Sequence, residues 1–487
     1  MNEGNGFRSL IYAVRLPVIA RLLGRLALVL AILCLPSLIV ALWFHEFAYL
    51  PTFTMIVLPL IVAGWLTRRL PDPTHLMRSE GFVVICAAFI LAPLLMAVAL
   101  EPSGLPLSGR IFEAVSAVTT TGLSIVLSPG DMHYTFLFTR SWMQWFGGLG
   151  IVVLSVVFLL QRSTAAYQLL DMPEGQGFVS AAVVYARRIL LVYLFLSVLA
   201  VLVCWWCFGD FFTGMIHGFS AISTGGFASR EDSLASLSFA AQFGVVLLCV
   251  MGAVSLSMYL RLWRHAWRDI LRDQEFRWFF GLLLALCVIL TLLGWWQDGS
   301  DLESAAETGV IMGFSALSTA GFANVNLAES SAAFKLVLIV SMFLGGCVGS
   351  TAGGFKIFRL IIVWQLLKTL LRRASAAQHA VIEPGIRGHK LTQEQIQGAM
   401  LTGCLLAVLI VMSWFPFLLY GYAPLDALFE VVSAVGTVGL SSGITAPDLP
   451  LFLKTVLCID MIAGRVEVVA LVCLFYPGVW LGNRNPL

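Results

Sequence analysis

The stretch SAVTTTGLS, residues 116–124, follows a short apolar run, and its pattern returns three more times along the chain. In full the segments read FEAVSAVTTTGLS (112–124), IHGFSAISTGGFA (216–228), IMGFSALSTAGFA (311–323) and FEVVSAVGTVGLS (429–441). They share the core S-A-x-x-T-x-G, opened by Ser116, Ser220, Ser315 and Ser433 and closed by Gly122, Gly226, Gly321 and Gly439. The copies recur at intervals of roughly a hundred residues, as units of a repeat architecture do.

Working outward, the 487-residue chain is 59% hydrophobic and only 11% charged, with a mean hydropathy of +0.92. So little polar surface cannot cover a soluble particle, and most of the chain must face lipid or other membrane helices. A net charge of +2, spread over short loops, excludes a nucleic-acid groove. The ten cysteines mostly sit singly in apolar runs and read as small hydrophobes. Cys204 and Cys207 alone show a C-x-x-C spacing, which packing explains better than redox or metal chemistry because no second pair has ligand spacing. The start, MNEGNGFRSLIYAVRLP, is basic and lacks a signal-cleavage pattern, so the first hydrophobic helix is expected to be retained.

Apolar runs long enough to cross the membrane fall near 26–43, 50–66, 81–100, 136–160, 188–208, 238–260, 278–296, 332–371, 398–420 and 451–477, giving ten crossings as the simplest count. Basic residues mark the inner loops: Arg15, Arg21 and Arg25; Arg68, Arg69 and Arg78; Arg162, Arg187 and Arg188; Arg261, Arg264, Arg268, Arg272 and Arg277; and Lys356 to Arg373. The alternate loops carry Glu101 and Asp131, Asp210, Glu231 and Asp232, Asp298, Asp301, Glu303 and Glu307, and Asp426 and Asp448. Both termini are therefore expected in the cytoplasm. Each acidic loop holds one repeat, whose helical part spans only about half a bilayer and must turn back. Non-helical backbone at that depth is tolerated only inside protein or along a wet cavity, so four such segments imply one shared aqueous path.

A cation crossing a membrane loses its water, and only oxygen ligands facing a narrow axis replace it. A T-x-G strand supplies backbone carbonyls, and its glycine permits a carbonyl direction that a Cβ obstructs. The expected ring is Thr119, Thr120, Thr121 and Gly122; Ser223, Thr224, Gly225 and Gly226; Ser318, Thr319, Ala320 and Gly321; and Gly436, Thr437, Val438 and Gly439. A competing reading takes S-A-x-x-T-x-G as small-residue helix packing; four copies in equivalent settings favour the ring.

Three further stretches join the repeats: GGCVGSTAGGFKIFR (345–359), QWFGGLGIVVL (144–154) and AGRVEVVALV (463–472). Together they give the chain, over nearly its whole length, a sequence that resembles the pore-forming subunits of Trk-type potassium uptake systems in the Trk/Ktr/HKT superfamily. The resemblance implies an all-α polytopic membrane protein of four concatenated helix–pore-loop–helix repeats around a pseudo-fourfold pore, with an extra N-terminal helix pair. The corresponding divisions are 1–70 for the pair and 78–162, 185–265, 275–373 and 393–487 for the repeats. It also implies potassium as substrate, no covalently bound cofactor, a homodimer in the bacterial inner membrane, and a cytosolic nucleotide-binding regulatory ring. Glycine at all four filter positions goes with potassium. The residue before each glycine varies, so a preference over sodium is expected rather than exclusion.

Glycines inside an apolar helix cost about 1 kcal/mol each. Gly345, Gly346, Gly349, Gly353 and Gly354, with Ser350 and Thr351, are therefore read as a movable loop that splits the 332–371 run beneath the filter; a packed kink is the alternative. Arg465 lies deep in the last apolar run, where a charge is expensive. It is expected to form an inner barrier with that loop, the alternative being a structural arginine bonded to helix carbonyls. Two residues apart on a helix, Arg465 and Glu467 point to different faces and are not expected to pair. Glu113 and Glu430, matched by His217 and Met312, are open to two readings: helix capping or solvation, and a buttress bonded to the filter backbone. No HExxH or P-loop pattern supports a membrane-embedded enzyme. Inverted repeats do not explain four copies entering from one side; coupling of potassium to a proton or sodium stays open.

Overall fold

The computed structural model describes residues 13–71, 76–162, 178–263, 265, 267–297, 299, 301–375, 383–386 and 389–481. The chain start, Arg264 and Asp298 lie outside them, as do the side chains of Arg78 and Arg162. Long apolar stretches become helices because a helix satisfies its own backbone in lipid. In chain order these are α1 Leu16–Leu33, α2 Leu35–Trp43, α3 Tyr49–Thr67, α4 Arg78–Ala99, α5 Leu107–Val118, α6 Tyr134–Arg162, α7 Phe178–Phe208, α8 Phe211–Ile222, α9 Phe239–Ala253 and α10 Leu256–Trp263. They continue with α11 Trp267–Leu271, α12 Gln274–Gln297, α13 Leu302–Leu317, α14 Ala332–Leu344, α15 Ile357–Ala374, α16 Gln393–Leu419, α17 Pro424–Val435, α18 Leu451–Val466, α19 Val468–Phe475 and α20 Pro477–Leu481. Among the described residues, the strands are two two-residue pieces, Gly385–Ile386 paired antiparallel with His389–Lys390. The protein is an all-helical polytopic membrane protein.

Among the described residues, six helices are able by length and composition to span a bilayer, or up to seven if a bent pair counts as one. Several of the ten expected crossings are not single straight helices. The 332–371 run splits into α14 and α15, as its glycines predict. The 238–260 run also splits: α9 and α10 meet at 90° across Val254 and Ser255. The 451–477 run breaks at Glu467, whose φ of 66° lies in the left-handed region. Apolarity alone does not locate such breaks, because the chain remains helical and apolar on average on both sides of each.

Four short helices, α5, α8, α13 and α17, lie inside the molecule, and their last turns are buried apart from the half-buried Phe219 and Phe314. A helix apolar on every face belongs inside protein. Each sits between two longer elements, giving the sequences α4–α5–α6, α7–α8–α9, α12–α13–α14 and α16–α17–α18. Asp210 caps α8 by accepting the Thr213 N–H at 2.7 Å, which holds its carboxyl below the usual carboxylate range. The N-terminal helices pack on the first unit: Trp142 Nε1 donates to the Leu33 carbonyl at 2.7 Å, and the Glu46 carboxylate accepts the Tyr134 and Thr135 N–H groups at the start of α6.

Candidate functional site

Each short helix ends in the same turn. In the first repeat the Thr121 N–H donates to the Ser116 carbonyl at 2.9 Å and the Thr120 N–H to Ala117 at 3.0 Å, the paired bonds of a Schellman motif. Gly225 and Thr224 repeat them to Ser220 and Ala221, Ala320 and Thr319 to Ser315 and Ala316, and Val438 and Thr437 to Ser433 and Ala434. The core S-A-x-x-T-x-G is thus a helix terminator, with threonine at the left-handed position where glycine is usual. Thr120, Thr224, Thr319 and Thr437 have φ of 54°, 53°, 55° and 49°. For a β-branched residue that is a true outlier, worth about 1–3 kcal/mol each. The closing glycines return to positive φ, from 75° to 92°. The positive φ thus falls on the threonines as well as on the glycines, to which the sequence reading assigns it alone.

The four turns close on one another. A Cβ on Gly122 would lie 2.1 Å from the Gly225 carbonyl oxygen; on Gly226, 2.2 Å from Ala320 O; on Gly321, 2.2 Å from Val438 O; and on Gly439, 2.1 Å from Thr121 O. Repeat one therefore abuts two, two abuts three, three abuts four and four abuts one. All sixteen expected ring residues fall in these turns, and those before the closing glycines are buried. The Oγ1 atoms of Thr120 and Thr437 are buried without a partner among the described residues.

Behind the ring, carboxylates hold the descending strands. Glu113 Oε1 accepts the Ile125 N–H at 2.7 Å, and Glu430 Oε1 the Ser442 N–H at 2.8 Å. His217 Nε2 accepts the Ser229 N–H at 3.4 Å from the matching place. They buttress the strand that leaves each turn, three residues past its closing glycine, rather than the ring backbone itself, and Met312 offers no such acceptor. Glu113 carries a charge partner that sequence reasoning missed: Arg140 Nη1, buried on α6, lies 2.8 Å from Glu113 Oε2 and its guanidinium carbon 4.4 Å from the Phe227 ring centroid. Glu430 instead accepts hydroxyls from Ser441 at 2.6 Å and Thr445 at 2.7 Å. Gln144, also buried on α6, donates to the Gly225 carbonyl.

The glycine-rich loop crosses directly under the ring. Thr351 Oγ1 donates to Ile222 O at 3.1 Å and Gly252 O at 3.0 Å, and lies 3.4 Å from Thr224 Oγ1. The Gly353 N–H donates to Thr319 Oγ1 at 2.8 Å, and a Cβ on Gly353 would meet Thr437 Oγ1 at 2.1 Å. The loop's far turn is pinned by three bonds: Cys347 N–H to Ala253 O at 3.0 Å, Val348 N–H to Glu275 Oε1 at 2.7 Å, and Leu256 N–H to Gly349 O at 3.1 Å. Gly345, Gly349 and Gly354 have φ between 69° and 76°. Ser350 turns inward to bond the Cys347 carbonyl at 2.6 Å, and the Gly346 carbonyl accepts the Ile357 N–H at 3.1 Å.

Arg465 closes this layer. Its Nη1 donates to the Thr351 carbonyl at 2.6 Å and its Nη2 to the Gly147 carbonyl at 3.4 Å, so it spans from the loop to α6. Glu467, two residues on and across a break in the helix, bonds Arg359 at 2.7 Å. The glycine before it, Gly464, lets α18 approach the Val435 carbonyl, as Gly147 does for Val118 and Gly252 for Ile222. Arg465 therefore stands where the first two repeats place Gly148 and Ala253. A second cation lies in the same layer: Lys356 Nζ donates to the Ala352 carbonyl of the loop.

Four backbone turns that abut one another inside a bundle of apolar helices, with a glycine-rich loop and an arginine packed against them, set the class as a polytopic membrane protein. A family model described as "TrkH: Cation transport protein" matches residues 45–478, and the chain belongs to that family. It is 28% identical over 487 residues to the Trk system potassium uptake protein TrkH of Salmonella typhimurium, covering 95% of this chain and 99% of that one. An uncharacterized cation transporter of Methanocaldococcus jannaschii is 26% identical, covering 94% of each. The fold matches the crystal structure of the potassium transporter TrkH from Vibrio parahaemolyticus with a TM-score of 0.85 at 24% identity, over 96% of this chain and all of that one.

Proposed function

We propose that this protein carries potassium across the cytoplasmic membrane through the ring of Thr-x-Gly turns, with the glycine-rich loop and Arg465 as its inner gate. The observation that carries the reading is the closed order of contacts among Gly122, Gly226, Gly321 and Gly439 and the carbonyls of the next repeat. Carbonyls fixed on four sides replace a cation's hydration shell without reorganising at the moment of passage. The Thr120 and Thr437 hydroxyls add oxygen ligands at the ring's inner end. Beneath it the ion meets Arg465 and Lys356, whose charges oppose passage until the loop swings aside.

On this reading residues 78–162, 185–265, 275–373 and 393–487 are the four pore units, and 1–70 the accessory pair. The substrate is potassium, and the protein is a transporter needing no covalent cofactor. It works as a homodimer in a bacterial inner membrane with both termini inside, and a cytosolic nucleotide-binding ring moves the gate. An interior-negative voltage supplies about 2.3 kcal/mol per 100 mV to a monovalent cation, enough to drive uptake uncoupled. Rubidium flux into proteoliposomes under imposed voltage, with sodium as competitor, tests it. Voltage-driven rubidium uptake, competed by potassium more strongly than by sodium, is expected; no cation flux, or flux indifferent to voltage, overturns it.

A further inference from the structure

Away from the ring, a pocket of about 190 Å³ opens between the first turns of α12 and the outer half of α15, lined by Gln274, Arg277, Trp278, Trp364, Gln365 and Lys368. We propose that it binds the head group of an anionic phospholipid of the phosphatidylglycerol type.

Two cations face it from opposite helices, and among the described residues neither has a carboxylate in ion-pair range. The Arg277 guanidinium is oriented by a 2.9 Å bond from Nη2 to the Arg272 carbonyl, and the Lys368 ammonium lies 5.4 Å from the Trp364 ring centroid. An unpaired Arg and Lys across a small cavity fit a phosphate monoanion. The Gln274 Oε1 atom is buried with no donor among the described residues. An acceptor beside two cations calls for a ligand that brings hydroxyl donors next to its phosphate, as glycerol does.

Size and surroundings select lipid over a soluble anion or nucleotide. The volume falls below the roughly 300–1,000 Å³ of cofactor-sized sites. Trp278 and Trp364 meet edge to face at 6.0 Å, and indoles collect at the membrane interface. From Arg277 the exposed residues Phe280, Leu284 and Val288 follow at helical spacing down α12. These form a track for acyl chains, which a free phosphate does not use. Arg272, Arg372 and Arg373 lie nearby in sequence, while the two neighbouring carboxylates are engaged elsewhere, Asp273 with Arg261 and Glu275 with the Val348 N–H.

Native mass spectrometry of the full-length protein, titrated with short-chain phosphatidylglycerol, phosphatidic acid, phosphatidylcholine or inorganic phosphate, tests the site. Wild type should retain phosphatidylglycerol about tenfold better than phosphatidylcholine. R277Q/K368Q should drop to the phosphatidylcholine level, while R277K and the distant R230Q keep wild-type retention. Gln274→Leu should cut the preference for phosphatidylglycerol over phosphatidic acid, and serves if the double variant does not fold. Equal retention by R277Q/K368Q and wild type, displacement by inorganic phosphate, or an unchanged head-group preference in Gln274→Leu overturns the assignment.

Discussion

At the residue scale, the protein stores strain in four threonines and relieves none of it with glycine. The left-handed φ near 50° costs most for a β-branched side chain, yet every repeat keeps threonine there. Its hydroxyl is the reason: Thr319 Oγ1 receives the loop at Gly353, Thr224 Oγ1 lies against Thr351, and Thr120 and Thr437 keep theirs unpartnered. The closing glycines are fixed differently, by lack of room. Gly226→Ala places a methyl 2.2 Å from the Ala320 carbonyl at a φ of 77°, so rubidium flux in proteoliposomes should fall by about tenfold or more and the melting temperature should drop. Arg465 contributes a charge-assisted bond to the loop, worth about 1.5–3 kcal/mol. Arg465→Ala should raise basal flux by roughly tenfold; unchanged flux would sink its role as a barrier. At this scale the glycines, the loop residues and Arg465 were legible from their chemistry in an apolar chain. The strained threonines, Arg140 and Lys356 were not, because a positive φ and a buried partner are set by neighbours distant in sequence.

At the scale of elements, the buttresses and the loop anchors decide stiffness. Glu113 neutralises a fully buried arginine, whereas Glu430 is held by hydroxyls and one N–H. Removing one member of a buried ion pair costs about 3–5 kcal/mol, against about 1–3 for stranding hydroxyl donors. Thermal unfolding should therefore show Glu113→Ala as the more damaging of the two, with Glu430→Ala closer to wild type. Glu275, at the start of α12, holds the loop's far turn through Val348. Glu275→Ala should raise basal rubidium flux several-fold by releasing that turn, and Glu275→Gln, which keeps an acceptor oxygen, should stay near wild type. If both behave alike, the hydrogen bond does not restrain the loop. The short helices were readable from length, but the 90° bend after Ala253 and the break at Glu467 were not. Neither Ser255 nor Glu467 is a helix breaker by type, and only the approach of the loop to Ala253 and Gly252 gives the bend a cause.

At the scale of the molecule, the ring ties repeats that are far apart in the chain into one cooperative object. A cation bound only by the assembled ring stabilises the folded state by mass action, about 2.7 kcal/mol at a hundredfold excess over its dissociation constant. Raising potassium at constant ionic strength should raise the melting temperature of the wild type more than sodium does. Gly226→Ala should abolish the difference. A response identical for the two ions, or retained in the variant, would separate the ring from ion binding.

Composition and the fourfold S-A-x-x-T-x-G by themselves determined a helical membrane protein, the number of inserted turns and which glycines and hydroxyls line them, since hydropathy and side-chain size act locally. Only the tertiary structure decided that each turn abuts the next repeat, that threonines carry the left-handed backbone, and that Arg465 reaches across to Thr351 and Gly147. Those features depend on where long-range packing brings one carbonyl against another, a quantity that no stretch of the chain holds on its own.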